Sequence, residues 1–477
     1  MSQCTQSGFQ QVSGGACSLV MYPEAAPGCV EPGTKGVLLS FMNESLSRGS
    51  SKQQRQVITG KRGPGKPFEG LPQLGGGVEA ASYAPQIGYL LRALCGKPQT
   101  TAESARPLDL DAAGEIETGI VGLPCAGHGF VQDAVITIHG TVNYDGVYRV
   151  KRGVTEDVIA IAAPFVAETF TAGAMVYRGR APVLQGSAKD LGDGLVGLPV
   201  KGVEHALNAG ESITVSGSVH YDGTYLLRPG TAGRYLSIQA AFAEEDFSGA
   251  ALAVPAFYRH AFALPKRQPT NCFEKYLDFE DGAAGNKYLR FGFCKVNGWN
   301  FTFGGAEELR FNLDMAVGRR EAAPEPLDAA PVTPPSVRMD NIECALWVAG
   351  VRRADVQSGT CSNAFGIEPQ AAIGDRGQYS RMPEGDPDCS ITMRVFLERD
   401  DYQALSENRA TVPVSISNCC ASGDEFWFTY DETELDVPDP SISGKQGLML
   451  EVTAMPFVDA GETVLKAVII NRVASYA

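Results

Sequence analysis

The stretch Trp299–Val317, WNFTFGGAEELRFNLDMAV, decides the fold class. Trp299, Phe301 and Phe303 alternate with Asn300 and Thr302. After Gly304-Gly305-Ala306-Glu307-Glu308, the residues Leu309, Phe311, Leu313, Met315 and Val317 alternate with Arg310, Asn312, Asp314 and Ala316. A period of two sends successive side chains to opposite faces of an extended strand. Two such runs around a short polar turn predict a β-hairpin with one buried face. The same rhythm returns at Phe426, Phe428 and Tyr430, and again at Leu448, Leu450 and Val452. The chain therefore reads as mainly β and mostly antiparallel.

One helix stands out against this background. Ile87, Leu90, Leu91 and Leu94 fall on one helical face, Pro85 suits the first turn, and Gly96 supplies the stop. A shorter helix is predicted from Asp400-Asp401, with Tyr402 and Leu405 on one side. Each helix follows a strand-like run, Val78–Ser82 and Ile391–Leu397, and precedes further alternating strands. That order predicts one β-rich unit present twice.

The middle of the chain carries a repeat. ITIHGTVNYDGVY begins at Ile136 and ITVSGSVHYDGTY begins at Ile213, 77 residues on. Glu168-Thr169-Phe170 and Glu245-Asp246-Phe247 match at the same offset. Two small β modules in tandem are predicted, over 115–180 and 192–257. Asp145-Gly146 and Asp222-Gly223 are expected to make tight hairpin turns, with Gly at positive φ. The flanking Tyr144 and Tyr221 read either as core residues or as part of a ligand surface. Around the modules, the expected organisation is an N-terminal arm (1–34), a first unit in two parts (35–100 and 258–320), a Pro/Ala-rich linker (321–336) and a second unit (337–477).

The totals narrow the function. The 477 residues carry a net charge of −15, with a pI of about 4.9, which argues against tight nucleic-acid binding. The N-terminus lacks the basic and apolar regions of a secretion leader, and no apolar run approaches a membrane span, so a soluble, cytoplasmically made protein is expected. The twelve cysteines are scattered, with one adjacent pair, Cys419-Cys420. Reduced thiols are expected rather than a disulfide or zinc framework.

Local cation density runs against the acidic total. Gly60-Lys61-Arg62-Gly63-Pro64-Gly65-Lys66-Pro67 approaches the phosphate loop G-x-x-x-x-G-K. Pro67 replaces the hydroxyl that would ligate Mg²⁺ and removes a backbone N–H, and the glycines that follow exclude a helix. The loop is not a nucleotide site. Between Leu46 and Gly70 it carries Arg48, Lys52, Arg55, Lys61, Arg62 and Lys66 against the single acid Glu69.

The search for chemistry is otherwise negative. The five histidines (His128, His139, His205, His220 and His260) show no metal-ligand spacing, and Cys125 with His128 offers two ligands where a structural site needs four. Cys17, Cys29 and the 419–420 pair have no general base nearby in sequence. No catalytic residue, metal or cofactor is expected.

Four segments carry a family resemblance. Phe41-Met42-Asn43-Glu44, the GKRGPGKP loop, Gly75-Gly76-Gly77-Val78-Glu79 and IGYLLRALCG (87–96) are similar in order and type to the N-terminal part of tail tube proteins of long-tailed bacteriophages. Asn271–Lys275, Leu289–Asn297 and the late Gly444-Lys445-Gln446-Gly447-Leu448 resemble later segments of that family. The resemblance implies two tube-fold β-sandwich or barrel units, each with a flanking helix, with the two small modules inserted in the first. It implies self-assembly: three chains closing into a pseudo-sixfold ring, and rings stacking into the conduit through which DNA leaves the virion.

On that reading the partners are further copies of the chain, the tail terminator, tape measure and distal tail proteins. Double-stranded DNA passes without tight binding, no membrane is involved, and the protein resides in the virion tail after assembly in the host cytoplasm. The basic loop is expected to be mobile alone, to order on assembly, and to dock on an acidic surface of the next ring. An acid-rich bore would repel phosphates. The competing reading is a multi-domain β protein that recognises a surface glycan or receptor through its repeats. A glycan array probed with the full-length protein separates the two: a scaffold gives no hits, a recognition module gives selective ones.

Overall fold

The computed structural model describes residues 14–55, 62, 65–202, 205, 207–278, 287–375, 377–440 and 447–476. Lys61 of the basic loop and Gly444-Lys445-Gln446 lie outside the described residues. Eighteen strands join in one hydrogen-bonded network. In its first half these are β1 (Ser18–Pro23), β2 (Val37–Leu39), β3 (Phe41–Glu44), β4 (Ser47–Gly49) and β5 (Gln73–Ala81). Helix α1 (Ala84–Cys95) follows, then β6 (Gln99–Ala102), β7 (Tyr258–Ala263), β8 (Asn271–Tyr276), β9 (Tyr288–Gly304) and β10 (Arg310–Ala323). The second half has β11 (Cys344–Val348), β12 (Val351–Arg353), β13 (Val356–Ala364), β14 (Asp388–Phe396), α2 (Asp401–Glu407), β15 (Val412–Cys419), β16 (Glu425–Asp436), β17 (Met449–Pro456) and β18 (Lys466–Asn471).

The chain is mainly β, as its alternation predicts. The decisive hairpin is β9–β10, with Trp299 opposite Leu313 and Phe301 opposite Phe311. Both helices form where expected. Pro85 sits in the first turn of α1, and Gly96 ends it at φ 83°, donating its N–H to Arg92 O.

The strand pairing repeats. The order β2-β1-β8-β9-β10-β5-β3 in the first half, antiparallel throughout, recurs as β12-β11-β15-β16-β17-β14-β13 in the second. Each strand occupies the same place in chain order in both, and α1 follows β5 as α2 follows β14. A further pairing, β9 with β13, welds the two arrays into one sheet. One core serves both: Trp299, Phe301 and Phe311 pack on Phe426 and Phe428 at ring separations of 5.5–6.1 Å.

Two regions extend differently from the sequence reading. The Pro/Ala-rich stretch begins as strand, because β10 runs to Ala323. Further on, Val332 is bound to the edge of β2: its N–H donates to Gly36 O, and its carbonyl accepts from Leu38 N. Proline-rich composition does not preclude pairing where an unpaired strand edge is at hand. The modules also reach beyond their expected bounds. Arg106–Pro107 pairs with Met175–Val176 in the first, and strands Val183–Ser187 and Lys189–Gly192 belong to the second. These flanking strands are short and largely exposed, so they carry little apolar alternation. Each module has a three-stranded and a four-stranded sheet around its own core.

Helix α1 carries a glycine at an instructive place. A Cβ on Gly88 would lie 2.0 Å from the Tyr476 ring. That ring is buried, donates to Pro85 O, accepts from Asn471 Nδ2 and meets His260 edge-on at 4.7 Å. Helix propensity alone favours alanine by ~1 kcal/mol. Gly88→Ala is nevertheless expected to lower unfolding stability by about 1–3 kcal/mol through overpacking, measured by urea denaturation. A neutral or stabilising result would show that Tyr476 is not held there.

Candidate functional site

One face of the welded sheet is mostly polar, in the order β3-β5-β10-β9-β13-β14-β17-β16, with Phe396 and Met455 as its exposed apolar exceptions. Alternation makes it. The residues that bury Phe301, Phe311, Leu313, Ile391, Met393, Leu450 and Val452 leave their sequence neighbours on the opposite side. Register then lines those neighbours up across strands. Glu79, Asn312, Asn300, Ser362 and Ser390 form one row. Thr302, Thr360, Thr392, Thr453 and Asp436 form another. Gly77, Asp314, Gly298, Ala364 and Asp388 form a third.

The face is polar and acid-biased. Its acids are Glu79, Asp314, Asp388, Glu434, Asp436 and Glu451. Its cations are Arg310, which pairs with Glu79 at 2.9 Å, and Arg394, which stands opposite Glu451. Asp314 lies across two glycines: a Cβ on Gly298 would be 2.8 Å from Asp314 Oδ2, and one on Gly77 would be 3.3 Å from Oδ1. Asn300 Oδ1 accepts from Ser362 Oγ and Asn363 N. Of these, the alternation read from the sequence displayed Asn300, Thr302, Arg310, Asn312 and Asp314 as the polar half of a run. Which acids share the face was not readable, because register across distant strands was not.

Both ends of this sheet are open among the described residues. β3 pairs only with β5. β16 pairs with β15 as far as Thr433 and continues to Asp436 with that side unpaired.

The structure divides the basic loop. Lys52–Arg55 pairs with Gly65–Glu69 in a separate two-stranded hairpin, with Lys52 opposite Glu69 and Arg55 opposite Gly65. The stem expected to order only on assembly is thus already strand-paired, since its alternating polar residues need only each other's backbone. Arg48 lies on β4 and meets the lone acid Glu69 at 3.3 Å, both exposed. Lys52, Arg55, Arg62 and Lys66 are exposed. So is Phe68.

The repeat turns are structural. Tyr144 and Tyr221 are fully buried and donate to Val166 O and Ala243 O. The expected tight Asp-Gly turns do not form. Gly146 and Gly223, at φ 157° and 152°, begin the return strands. The connection is a longer loop opened by Gly140 (φ 87°) or Gly217 (φ 81°). Asp145 closes it by accepting from Thr141 N and Oγ1, as Asp222 does from Ser218 N and Oγ. A capping carboxylate takes the role assigned to a two-residue turn. Glu168 and Glu245 bind the next two amides. Exposed Val142 and Val219 cap these loops, with Phe165 and Phe242 also exposed at matching positions.

The opposite ends of the modules are fixed to the main sheet by buried charge. Arg178 pairs with Glu425 and with Glu103 at 3.2 Å, and Arg472 pairs with Glu211 at 2.8 Å and Asp424 at 3.4 Å. Burial pushes the Glu211 carboxyl up, and Arg472 pulls it back.

Of the candidate nucleophiles, Cys419 and Cys420 are buried, and burial pushes both thiols up, Cys420 to about 12; Cys29 is exposed. Among the described residues no cluster of His, Cys, Asp or Glu could hold a metal ion. No helix there is long and apolar enough to cross a membrane. One correspondence was missed from sequence: His128 and His205 occupy equivalent module positions, at the same 77-residue offset. Each accepts from the amide two residues on through Nδ1, at 2.9 and 3.1 Å.

The described residues thus form a two-unit β sheet with a polar face and strand edges left open at both ends. The chain belongs to the phage tail tube protein family, whose model matches residues 14–456. It is therefore a structural component of a phage tail. None of the curated proteins matches it.

Desolvation holds His128, His205 and His260 below the ordinary histidine pKa. The native state therefore refuses protons that the unfolded chain accepts. Stability is expected to be full above about pH 6.5 and to fall as pH drops towards about 5, above the range of ordinary carboxylates. Scanning calorimetry across that window checks it. A His128→Gln, His205→Gln variant with an undiminished slope would show that these histidines are not responsible.

Proposed function

We propose that the chain is the tube-building subunit, and that three copies close into a pseudo-sixfold ring whose bore is lined by the polar sheet face. The observation that carries this is the match between the sheet's open ends and the junction at its centre. At the centre, Gly298–Gly304 of β9, just past its pairing with β8, binds the free edge of β13. The counterpart of β9 is β16, whose edge past its pairing with β15 is open. The counterpart of β13 is β3, whose outer edge is open. Joining β16 of one chain to β3 of the next repeats the internal junction. Unlike edges then meet in one sense around the ring, a heterologous contact that closes.

The lining suits passage of DNA. Its acids repel phosphate, and its two arginines each face an acid. A basic lining would instead retain DNA by counterion release. Stacking uses opposite ends of the sheet. The basic arm, whose described cations are Arg48, Lys52, Arg55, Arg62 and Lys66, leaves one end. The exposed Glu307 and Glu308 of the β9–β10 turn stand at the other. Complementary charge would orient one ring on the next. Tail terminator, tape measure and distal tail proteins would meet the terminal rings of a tube assembled in the host cytoplasm.

The matched apolar tips of the modules favour a second, compatible role: recognition at the tube exterior.

The closing edge is testable at Glu44. Ser45 N donates to Gly77 O, so the neighbouring Glu44 amide turns to the open side. Glu44→Pro removes that donor. Glu44→Gln removes only the ion pair with Lys275 at 2.5 Å. Light scattering and negative-stain microscopy are expected to show closed rings and tubes for wild type and Glu44→Gln, and monomer for folded Glu44→Pro. Normal tubes from Glu44→Pro would refute closure through β3.

A further inference from the structure

The basic arm has a counterpart in the second half of the chain that its sequence does not announce. β3 and β5 correspond to β13 and β14, so the segment between Ala364 and Asp388 occupies the place of the arm. It also leaves the same end of the sheet, since Ala364 is level with Gly298, Asp314 and Gly77. The two segments share no residue pattern: one is cationic, the other contains Ile367, Ile373 and Tyr379.

This segment is built as a finger. At its root Phe365 N donates to Asn297 O, Ile367 N to Asn297 Oδ1, and Gly385 N to Gly366 O. Midway, Gln370 N donates to Arg381 O. Near the tip Asp375 accepts from Ala372 N and Ser380 Oγ, both at 2.6 Å. Tyr379 braces one side, with its N–H on Gly318 O and its hydroxyl on Pro72 O at the foot of the basic arm. The product of these bonds is a turn that holds Ile373 wholly in solvent, at 108% relative exposure. A single exposed isoleucine is ordinary. One fixed at the tip of a braced finger, in the place where the other half carries its assembly arm, has a use.

The opposite end of the sheet offers a receptor. A cavity of about 280 Å³ lies between the β9 terminus and β11–β13, where Phe303, Ala345, Leu346, Ala354 and Val356 give apolar walls and Arg352, Arg353, Gln357 and Ser358 a polar rim. We infer that the finger is a second inter-ring contact, and that Ile373 seats in this cavity on a second copy of the chain in the adjacent ring. The inference rests on the ring-stacking reading above. Each ring would then be held by two contact types in alternation, one by charge and one by an apolar knob. The charged contact weakens with salt, and the apolar one does not.

The test separates ring formation from stacking. Ile373→Glu is expected to form rings of wild-type mass by light scattering, with tube yield in negative stain reduced on the order of tenfold or more. Wild-type tube length in the variant would overturn the inference. Absence of rings in the wild type would overturn the ring reading and this inference together. Independently, oxidised tubes of an Ile373→Cys, Ala354→Cys double variant are expected to give a ladder of covalently linked chains on denaturing gels, absent from either single variant. Well-formed tubes without that ladder would overturn the seating.

Discussion

Pairing of β9 with β13 is the interaction on which the rest of the molecule depends. Without it, two seven-strand arrays would each end in an unpaired edge, and such edges invite association with any strand available. With it, the outer edge of β13 in the second array is satisfied by β9 of the first, the polar rows run unbroken from Glu79 to Ser390, and the aromatic cluster of Trp299, Phe301, Phe311, Phe426 and Phe428 is enclosed between the halves. The same pairing leaves two edges of fixed identity at the ends of the sheet. Among the described residues, the chain satisfies one such edge internally and leaves its two counterparts open.

The division between the faces of the sheet follows from one period. Each strand alternates, so the aromatic interior and the Asn, Ser, Thr and acid exterior are two halves of the same residues. Small side chains dominate the outer face: four threonines align across β9, β13, β14 and β17, and Asp314 rests over glycines on both sides. A face of short polar groups and acids offers few places for a polyanion to bind. That property fits a structural tail component.

The inserted modules are fixed rather than tethered. Arg178 and Arg472 are buried and each meets two carboxylates, so separating a module from the sheet would strand charge in a poorly solvated place, at a cost of roughly several kcal/mol. Rigid roots with capped, valine-tipped loops at the far ends set a constant projection from the sheet. The matching histidines His128 and His205 sit within these modules, held below the ordinary histidine pKa by burial.

The sequence by itself determined the local rules. Alternation around Trp299–Val317 defined the β class, the spacing of Ile87 to Leu94 with Gly96 placed the first helix, and the 77-residue echo disclosed the modules. It misjudged what depends on side-chain hydrogen bonds and on strand edges supplied elsewhere in the chain. Asp145 closes a loop where a tight turn was expected, because Thr141 and Glu168 supply and receive the hydrogen bonds. Val332 joins β2, although its proline-rich surroundings read as linker. Only tertiary structure decided which acids share a face, which strand edges remain open, and that the segment after Ala364 stands where the basic arm stands in the first half. Side-chain periodicity is a property of neighbours along the chain, whereas register and edge exposure belong to strands brought together across hundreds of residues.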